Sequence, residues 1–255
     1  MTNRHLLVGN WKMNPSSPEE AAIITKKVRA AASTSKHVDT VVCPPFVFIP
    51  LCLPRQPVAN YSVGAQSVSA DEGGAHTGLV SAEMLEKLGV EYVIVGHSEE
   101  RSAGLTDLEV SRRAVATIKA GMTAIVCVGE KVRDPEGAYL ATLKQQIHES
   151  CAGIVAGQVS HLVIAYEPIW AVGAPEPMVP DQIYEMCLFV RKILSDLFGQ
   201  SLAAKVRVLY GGAVNSRNAA EILNIGKVDG LLVGRESVNA TGFAEMIKVA
   251  DESDK

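Results

Sequence analysis

Three side chains that could take part in proton transfer stand at or just after the ends of apolar runs. Glu167 follows HLVIAY, His97 follows YVIVG, and Lys12 follows HLLVGNW. A carboxylate and an imidazole that face each other across a small ligand form a general acid–base pair, and an ammonium beside them stabilises negative charge. Taken alone, each residue type is more often exposed or structural, so the hypothesis depends on the fold bringing the three together.

Glycines follow the last two apolar runs, in Tyr210-Gly211-Gly212 and Val233-Gly234-Arg235. Glycine lets main-chain N–H groups approach an anion closely, as phosphate sites require. The chain has no GxSxG, no HExxH and no GxGxxG after a strand, so nucleophilic, zinc and dinucleotide chemistry have no support. A phosphate site with one base and one electrophile predicts proton transfer next to a carbonyl.

Eight short apolar runs recur along the chain, and such continuous runs are typical of parallel strands that are covered on both faces. They are HLLVGN, DTVVCP, YSVGAQ, YVIVGH, AIVCVG, LVIAYE, VRVLYG and DGLLVG. Helical segments separate them. We expect one helix to begin at Ser17-Pro18, a second at Thr106, and a third to span 181–198 before Gly199.

Eight strand–helix units in 255 residues favour a closed (β/α)8 barrel of the α/β class, as a single domain over residues 1–255. The last few residues, about 251–255, are expected to form a frayed tail. In such a barrel the working residues lie where strands end and βα loops begin. The same rim would therefore carry Asn10, Lys12, His97, Glu99 and Glu167, with glycines after the last two strands.

The composition excludes several classes of protein. The chain is 47% hydrophobic with a net charge of −4, so it offers a large core and no basic surface for nucleic acid. It contains no apolar run long enough for a membrane span and no secretory signal. Its five scattered cysteines, without CxxC, indicate reduced and mostly buried thiols in a cytoplasmic protein, with no metal site.

Five motifs together resemble the triosephosphate isomerase family, in order and spacing along essentially the whole chain. They are NWKMN, GHSEE, AYEPIWAVG, YGGAVN and GLLVGRES. The resemblance implies a homodimeric barrel without cofactor, which acts on a small phosphorylated sugar in glycolysis and gluconeogenesis. It implies interconversion of dihydroxyacetone phosphate and glyceraldehyde 3-phosphate through an enediolate. Enzymes of this family are a standard illustration of a carboxylate base paired with a neutral imidazole.

Roles carried over from the family fall on matching positions. Glu167 would be the base and His97 the neutral electrophile. Lys12 and Asn10 would stabilise the oxyanion and the phosphate, with Glu99 as a second carboxylate near Lys12. The main chain at the remaining positions would bind phosphate: Gly173, Gly212, Ala213, Gly234 and Arg235. Residues after Glu167 would form a lid that excludes water.

The chain departs from the family pattern in the lid and near the expected dimer interface. Ala174-Pro175-Glu176 replaces Thr-Gly-Lys, and Pro177-Met178-Val179 replaces a hinge of small residues. Ala213 stands where the family has serine. Glu100 replaces the first of two arginines, and leucines stand at two usual glutamates, Leu79 and Leu105. The interface changes together indicate a replaced network of charges.

Two alternatives stay open. The chain could be a paralogue that isomerises a four-carbon ketose phosphate of the erythrulose phosphate type, with the altered lid making room. It could also be a barrel that binds phosphorylated metabolites without catalysis, although the retained Lys12, His97 and Glu167 argue against this. A direct assay with triose and tetrulose phosphates separates the three.

Overall fold

Eight parallel strands close into a barrel. A computed structural model of the protein describes residues 4–171 and 178–253. Within them, each strand pairs with the next along the chain, and the last pairs with the first through Leu6 opposite Gly230. The strands are β1 (His5–Asn10), β2 (Val38–Cys43), β3 (Tyr61–Ala65), β4 (Tyr92–Val95), β5 (Thr123–Val128), β6 (Leu162–Tyr166), β7 (Arg207–Tyr210) and β8 (Gly230–Val233). The predicted (β/α)8 barrel is confirmed.

Helices connect the strands and cover the outside of the barrel. In the described ranges they are α1 (Pro18–Thr34), α2 (Ile49–Cys52), α3 (Ala82–Leu88), α4 (Ser98–Ser102), α5 (Asp107–Lys119), α6 (Ala138–Cys151), α7 (Pro180–Phe198), α8 (Gln200–Ala203), α9 (Ala219–Gly226) and α10 (Ala240–Asp251). The predicted helix starts are confirmed: Ser17 and Thr106 each accept a hydrogen bond from the N–H three residues on. Gly199 ends α7, also as predicted.

Two apolar layers fill the molecule, because both faces of each strand are buried. Alternate strand residues point into the barrel and pack on one another, and among them are Val8, Ile94, Ile125 and Leu232. The other strand residues pack against the helices in a larger layer that includes Val28, Leu85 and Ile183. A filled interior makes the barrel a rigid support and leaves its rim for function.

The amino-terminal end of the barrel carries an ion-pair cluster. Asp39 Oδ1 lies 2.6 Å from Arg4 Nε, and its Oδ2 lies 3.1 Å from Arg207 Nη1. Arg207 also donates to the hydroxyl of Tyr92 at 3.3 Å. These contacts connect strands from different sides of the barrel, so this end is built for stability.

Other expectations concern the thiols and the chain end. All five cysteines are buried free thiols, as predicted. Among the residues that the structure describes, no helix combines the length and the apolar character of a membrane span.

The range 251–255, predicted as a frayed tail, begins inside a helix. Asp251 is the last residue of α10, and its carboxylate accepts hydrogen bonds from Ser35, Lys36 and His37. Residues 254–255 lie outside the described ranges.

Candidate active site

A cavity of about 790 Å³ opens at the carboxyl ends of the strands. Predicted site residues that line it come from β1, β4, β6, β7 and β8: Asn10, Lys12, His97, Glu167, Gly212, Ala213, Gly234 and Arg235. Glu99 lies beside it, in contact with Lys12. Gly173, the lid residues Ala174-Pro175-Glu176 and the hinge residue Pro177 lie outside the described residues. The barrel thus brings together the predicted residues that the structure describes.

Glu167 lies at the end of β6 and is only 4% exposed. Its main-chain N–H continues the pairing with β5, through Val128 O at 2.8 Å, so the strand fixes its backbone. Its Oε1 lies 3.3 Å from His97 Nε2, and its Oε2 accepts a weak hydrogen bond from Ser98 N at 3.4 Å. A Cβ on Gly211 would lie 2.8 Å from Glu167 Cγ, so glycine there leaves room for the carboxylate.

His97 is aimed by the turn from β4 into α4. Gly96 adopts a φ of 73°, and a Cβ at this position would lie 2.8 Å from Val110, so the turn requires glycine. His97 then caps α4, and its Nδ1 accepts a hydrogen bond from Glu99 N at 3.2 Å. An Nδ1 that accepts carries no proton, so in the neutral imidazole the proton lies on Nε2, which faces Glu167.

Opposing effects act on the pKa of His97. Burial lowers this pKa, but the negative charge of Glu167 and the hydrogen bond to it raise it more. Lys12 opposes the rise and Glu99 adds to it. The net pKa of His97 therefore lies above its ordinary value in the ligand-free site, and Glu167 is the main reason.

Lys12 is held in an unusual conformation. Its φ of 52° lies in the left-handed region, which residues other than glycine seldom adopt. Residues in this conformation are found most often at functional sites. Asn10 stabilises the turn, because its Oδ1 accepts from Lys12 N at 3.0 Å. The Nζ of Lys12 lies 2.7 Å from Glu99 Oε1, and Gln66 Nε2 donates to Lys12 O at 2.8 Å. The ammonium is thereby directed along the rim of the cavity.

The loops after β7 and β8 form another part of the cavity lining, with Gly212 and Gly234 among its residues. The side chain of Lys12 passes beside Gly234, since a Cβ on that glycine would lie 3.6 Å from Lys12 Cε. The hydroxyl of Ser237 donates toward Gly234 O at 2.7 Å and toward Asn10 O at 3.1 Å, which ties the loop after β8 to β1. An anion in the cavity would therefore meet both an ammonium and backbone from the last two βα loops.

Sequence reasoning missed Glu130, which follows β5. Its side chain is buried and accepts hydrogen bonds from Tyr166 Oη at 2.9 Å and from Trp170 Nε1 at 2.9 Å. In the predicted second hinge of the lid, the buried Met178 donates its N–H to Tyr210 Oη at 3.2 Å. Trp170 is thus held by Glu130, which Tyr166 of β6 also contacts, and Met178 is held by Tyr210 of β7. The signal for Glu130 was an acid at the end of the fifth apolar run.

Comparison with known proteins agrees with this geometry. The family model described as triosephosphate isomerase matches residues 5–250. A triosephosphate isomerase of Acetivibrio thermocellus is 39% identical over 250 residues, which cover 97% of this chain and 99% of the relative. The triosephosphate isomerase of Moorella thermoacetica is 38% identical over 246 residues, which cover 96% of this chain and 98% of the relative. That of Rhodococcus jostii is 39% identical over 255 residues, which cover 98% of each chain. The chain belongs to the triosephosphate isomerase family.

The predicted family, fold and isomerase function are therefore confirmed. Within this triosephosphate isomerase family the chain keeps the motif residues at the strand ends, but it fills the neighbouring positions differently. Ala213, where the resemblance predicts serine, lines the cavity without a hydroxyl. Glu100, where the resemblance predicts arginine, forms an ion pair with Arg113 of α5 at 3.0 Å. The charge network near Glu99 is thus rebuilt with a carboxylate at this position.

Proposed function

We propose that this chain interconverts dihydroxyacetone phosphate and glyceraldehyde 3-phosphate by proton transfer through an enediolate. The observation that carries the proposal is the Glu167 carboxylate, buried in the cavity and 3.3 Å from His97 Nε2, with Lys12 at the rim. A base, a hydrogen-bond donor and a cation around one small cavity are the groups that this reaction needs.

The proposed roles follow from the positions of the atoms. Glu167 removes a proton from the carbon next to the carbonyl, while the Nε2–H of His97 donates to the carbonyl oxygen as negative charge develops there. His97 gives its Nε2 proton to that oxygen and takes the proton of the neighbouring hydroxyl, whose carbon becomes the new carbonyl carbon. The carboxylic acid of Glu167 then protonates the former carbonyl carbon, so both residues regain their starting charge. Lys12 stabilises the enediolate and the phosphate, and Asn10 and Glu99 position Lys12 through its N–H and its Nζ.

A neutral His97 is compatible with its raised pKa in the ligand-free site. The Glu167 charge raises this pKa because the carboxylate faces Nε2 directly. A substrate carbonyl that takes the position beside Nε2 removes that contact, and burial then favours the uncharged imidazole. The N–H of Glu99 at Nδ1 acts in the same direction, since it occupies the nitrogen that a second proton would need.

The phosphate is proposed to bind against the loops after β7 and β8. Gly212, Ala213, Gly234 and Arg235 line this side of the cavity. Their N–H groups and the Lys12 ammonium would offset the negative charge of the phosphate without a metal ion. Gly173, from the lid, would complete the phosphate site. Proton transfer through an enediolate needs no redox cofactor, so we propose that the reaction proceeds without a cofactor.

We also propose that the protein is a cytoplasmic homodimer. Exposed apolar side chains follow three neighbouring strands on the rim side: Met13 after β1 (94% exposed), Val47 after β2 (76%) and Leu79 after β3 (55%). Residues 72–79 are all exposed. Adjacent exposed apolar groups mark an interaction surface, and a second copy of the chain would cover it. An active monomer in sedimentation at micromolar concentration would contradict this.

The test is an isomerase assay with triose and tetrulose phosphates side by side. We expect turnover of dihydroxyacetone phosphate with the higher kcat/KM. Preference for an erythrulose phosphate would instead favour the four-carbon alternative. Binding of 2-phosphoglycolate without turnover of either substrate would support the non-catalytic alternative.

A further inference from the structure

The short helix α4 carries contacts on which the proposed reaction depends. It begins directly after His97, its Ser98 N–H contacts Glu167, and its Glu99 pairs with Lys12. A helix of five residues has little stability of its own, so neighbouring groups must hold it in place. Arg101 provides one attachment, because its guanidinium donates to Gly96 O at 2.6 Å and forms an ion pair with Asp107.

Glu100 provides a second attachment, to other parts of the fold. Its Oε1 accepts hydrogen bonds from Ser67 Oγ at 2.6 Å and from Arg113 Nη1 at 3.0 Å. Arg113 Nη1 also lies 3.1 Å from Ser67 Oγ, so the three groups form a closed triangle. We call Glu100, Arg113 and Ser67 the Glu100 triangle. It joins α4, α5 and the loop after β3.

That loop also holds Lys12. Gln66, the residue before Ser67, donates from Nε2 to Lys12 O at 2.8 Å and to Cys43 O at 2.9 Å. The Glu100 triangle therefore connects the two segments that grip Lys12: Gln66 at its backbone and Glu99 at its ammonium. A shift of α4 relative to this loop would change the distance between Lys12 and His97.

A contribution to stability does not by itself explain why a carboxylate stands at position 100. Its Oε2 is buried and has no hydrogen-bond partner among the residues that the structure describes. An unsatisfied carboxylate oxygen costs free energy, and buried ion pairs contribute less to stability than their charges suggest. A carboxamide would keep an acceptor for Ser67 and Arg113 without a full charge.

We propose that Glu100 and Arg113 are positioning residues for the isomerase reaction, which fix α4 against the loop after β3 so that Lys12 and His97 keep their productive separation. This inference rests on the proposed function for its kinetic test. It assigns a role to the substitution of Glu100 for the arginine that the resemblance predicts.

The variants are Glu100→Gln, Arg113→Gln and the double variant, with Arg112→Gln as the matched control. Arg112 is the neighbouring residue on α5, more than half exposed, and it pairs with Asp71 and Glu109. Glu109 keeps its own contact with Arg113 Nε, at 3.4 Å, when Arg112 is replaced. We expect each single variant to lower kcat about tenfold with KM within about twofold, because misalignment affects the transition state more than binding. The double variant should lose less than the product of the two losses.

Two readouts separate positioning from a structural role. The melting temperature of Glu100→Gln should equal or exceed that of the starting protein, and Arg113→Lys should recover most of kcat because an ammonium can still donate to Glu100. In NMR spectra recorded without substrate, the imidazole resonances of His97 should move in Glu100→Gln and stay unchanged in Arg112→Gln.

The starting protein tests the proposed function separately, since failure to isomerise triose phosphate would overturn that function alone. The positioning role is overturned if Glu100→Gln keeps kcat within about twofold, or if its kcat loss follows a loss of folded protein. Unmoved His97 resonances in Glu100→Gln would overturn it whatever the substrate is.

Discussion

Nε2 of His97 lies 3.3 Å from Oε1 of Glu167, although the two side chains come from different strands and both are almost fully buried. Their backbones are fixed independently, by the glycine turn after β4 and by the pairing of β6 with β5. The separation between a proposed base and a proposed electrophile is therefore set by the barrel. Predictions about either residue follow from this arrangement.

Shortening the base should impair chemistry without harming the fold. We expect Glu167→Asp to lower kcat on the order of 10²-fold, because withdrawing the carboxylate by one methylene spoils the proton-transfer geometry. Affinity for 2-phosphoglycolate and the melting temperature should change little. Glu185→Asp, on an exposed part of α7, is the control. Near-normal turnover of Glu167→Asp would remove Glu167 from the role of base.

Removing the ammonium at the rim should abolish turnover. Lys12→Met keeps most of the side-chain volume but deletes the charge that the phosphate and the developing enediolate both need. Turnover and melting temperature should be measured together, with the exposed Lys26→Met as the control. Retained activity in a folded Lys12→Met protein would show that the phosphate is held elsewhere.

The pKa of His97 should depend on Glu167. In the ligand-free protein the carboxylate raises this pKa above about 6.5, so protonation of His97 begins at a higher pH than for a free imidazole. Because the neutral form is the proposed electrophile, kcat/KM should fall as the pH drops through this raised value.

NMR titration of His97 checks the assignment directly. In Glu167→Gln the pKa of His97 should fall, since burial and Lys12 lower it and only the weaker effect of Glu99 still raises it. Glu185→Gln should leave it unchanged. A His97 pKa that is the same in Glu167→Gln and in the starting protein would contradict the assigned cause.

Substitutions at the amino-terminal end of the barrel should lower stability without changing catalysis. We expect Asp39→Asn to lower the free energy of unfolding by about 1–3 kcal/mol, because Arg4 and Arg207 lose a shared carboxylate. Its kcat should stay within about twofold of normal. The surface pair of Asp196 with Lys192 is the comparison: in chemical denaturation Asp196→Asn should lower stability clearly less than Asp39→Asn does, because water screens an exposed ion pair. Equal losses would show that the Asp39 cluster is also only a surface feature.

The sequence was sufficient for the fold and for the rim because both depend on local patterns. Buried strands appear as continuous apolar runs, and the residues that end them must share one edge of a closed parallel barrel. Asn10, His97 and Glu167 could therefore be placed near one another before any distance was known. Caps such as Ser17 and Thr106 are also local, and they lie where the sequence predicted them.

Contacts between loops were not predictable in the same way. Gln66 reaches Lys12, and Glu100 reaches Arg113, through side-chain directions that no short motif encodes. The sequence indicated only that charges near Glu99 had been replaced together. Arg113 becomes the partner of Glu100 only because α5 packs beside the loop after β3 in the folded protein. Glu130 had a sequence signal, an acid at a strand end, but its hydrogen bonds to Tyr166 and Trp170 depend on the fold.

The most direct test of proton transfer by the Glu167–His97 pair is turnover of dihydroxyacetone phosphate in D2O. A carbon-bound proton that passes through a carboxylic acid can exchange with solvent, whereas a hydride shift between neighbouring carbons cannot. We expect deuterium at C2 of the glyceraldehyde 3-phosphate formed by the starting protein, and neither turnover nor exchange above background in Glu167→Gln. Product without deuterium, or exchange that survives in Glu167→Gln, would contradict the account.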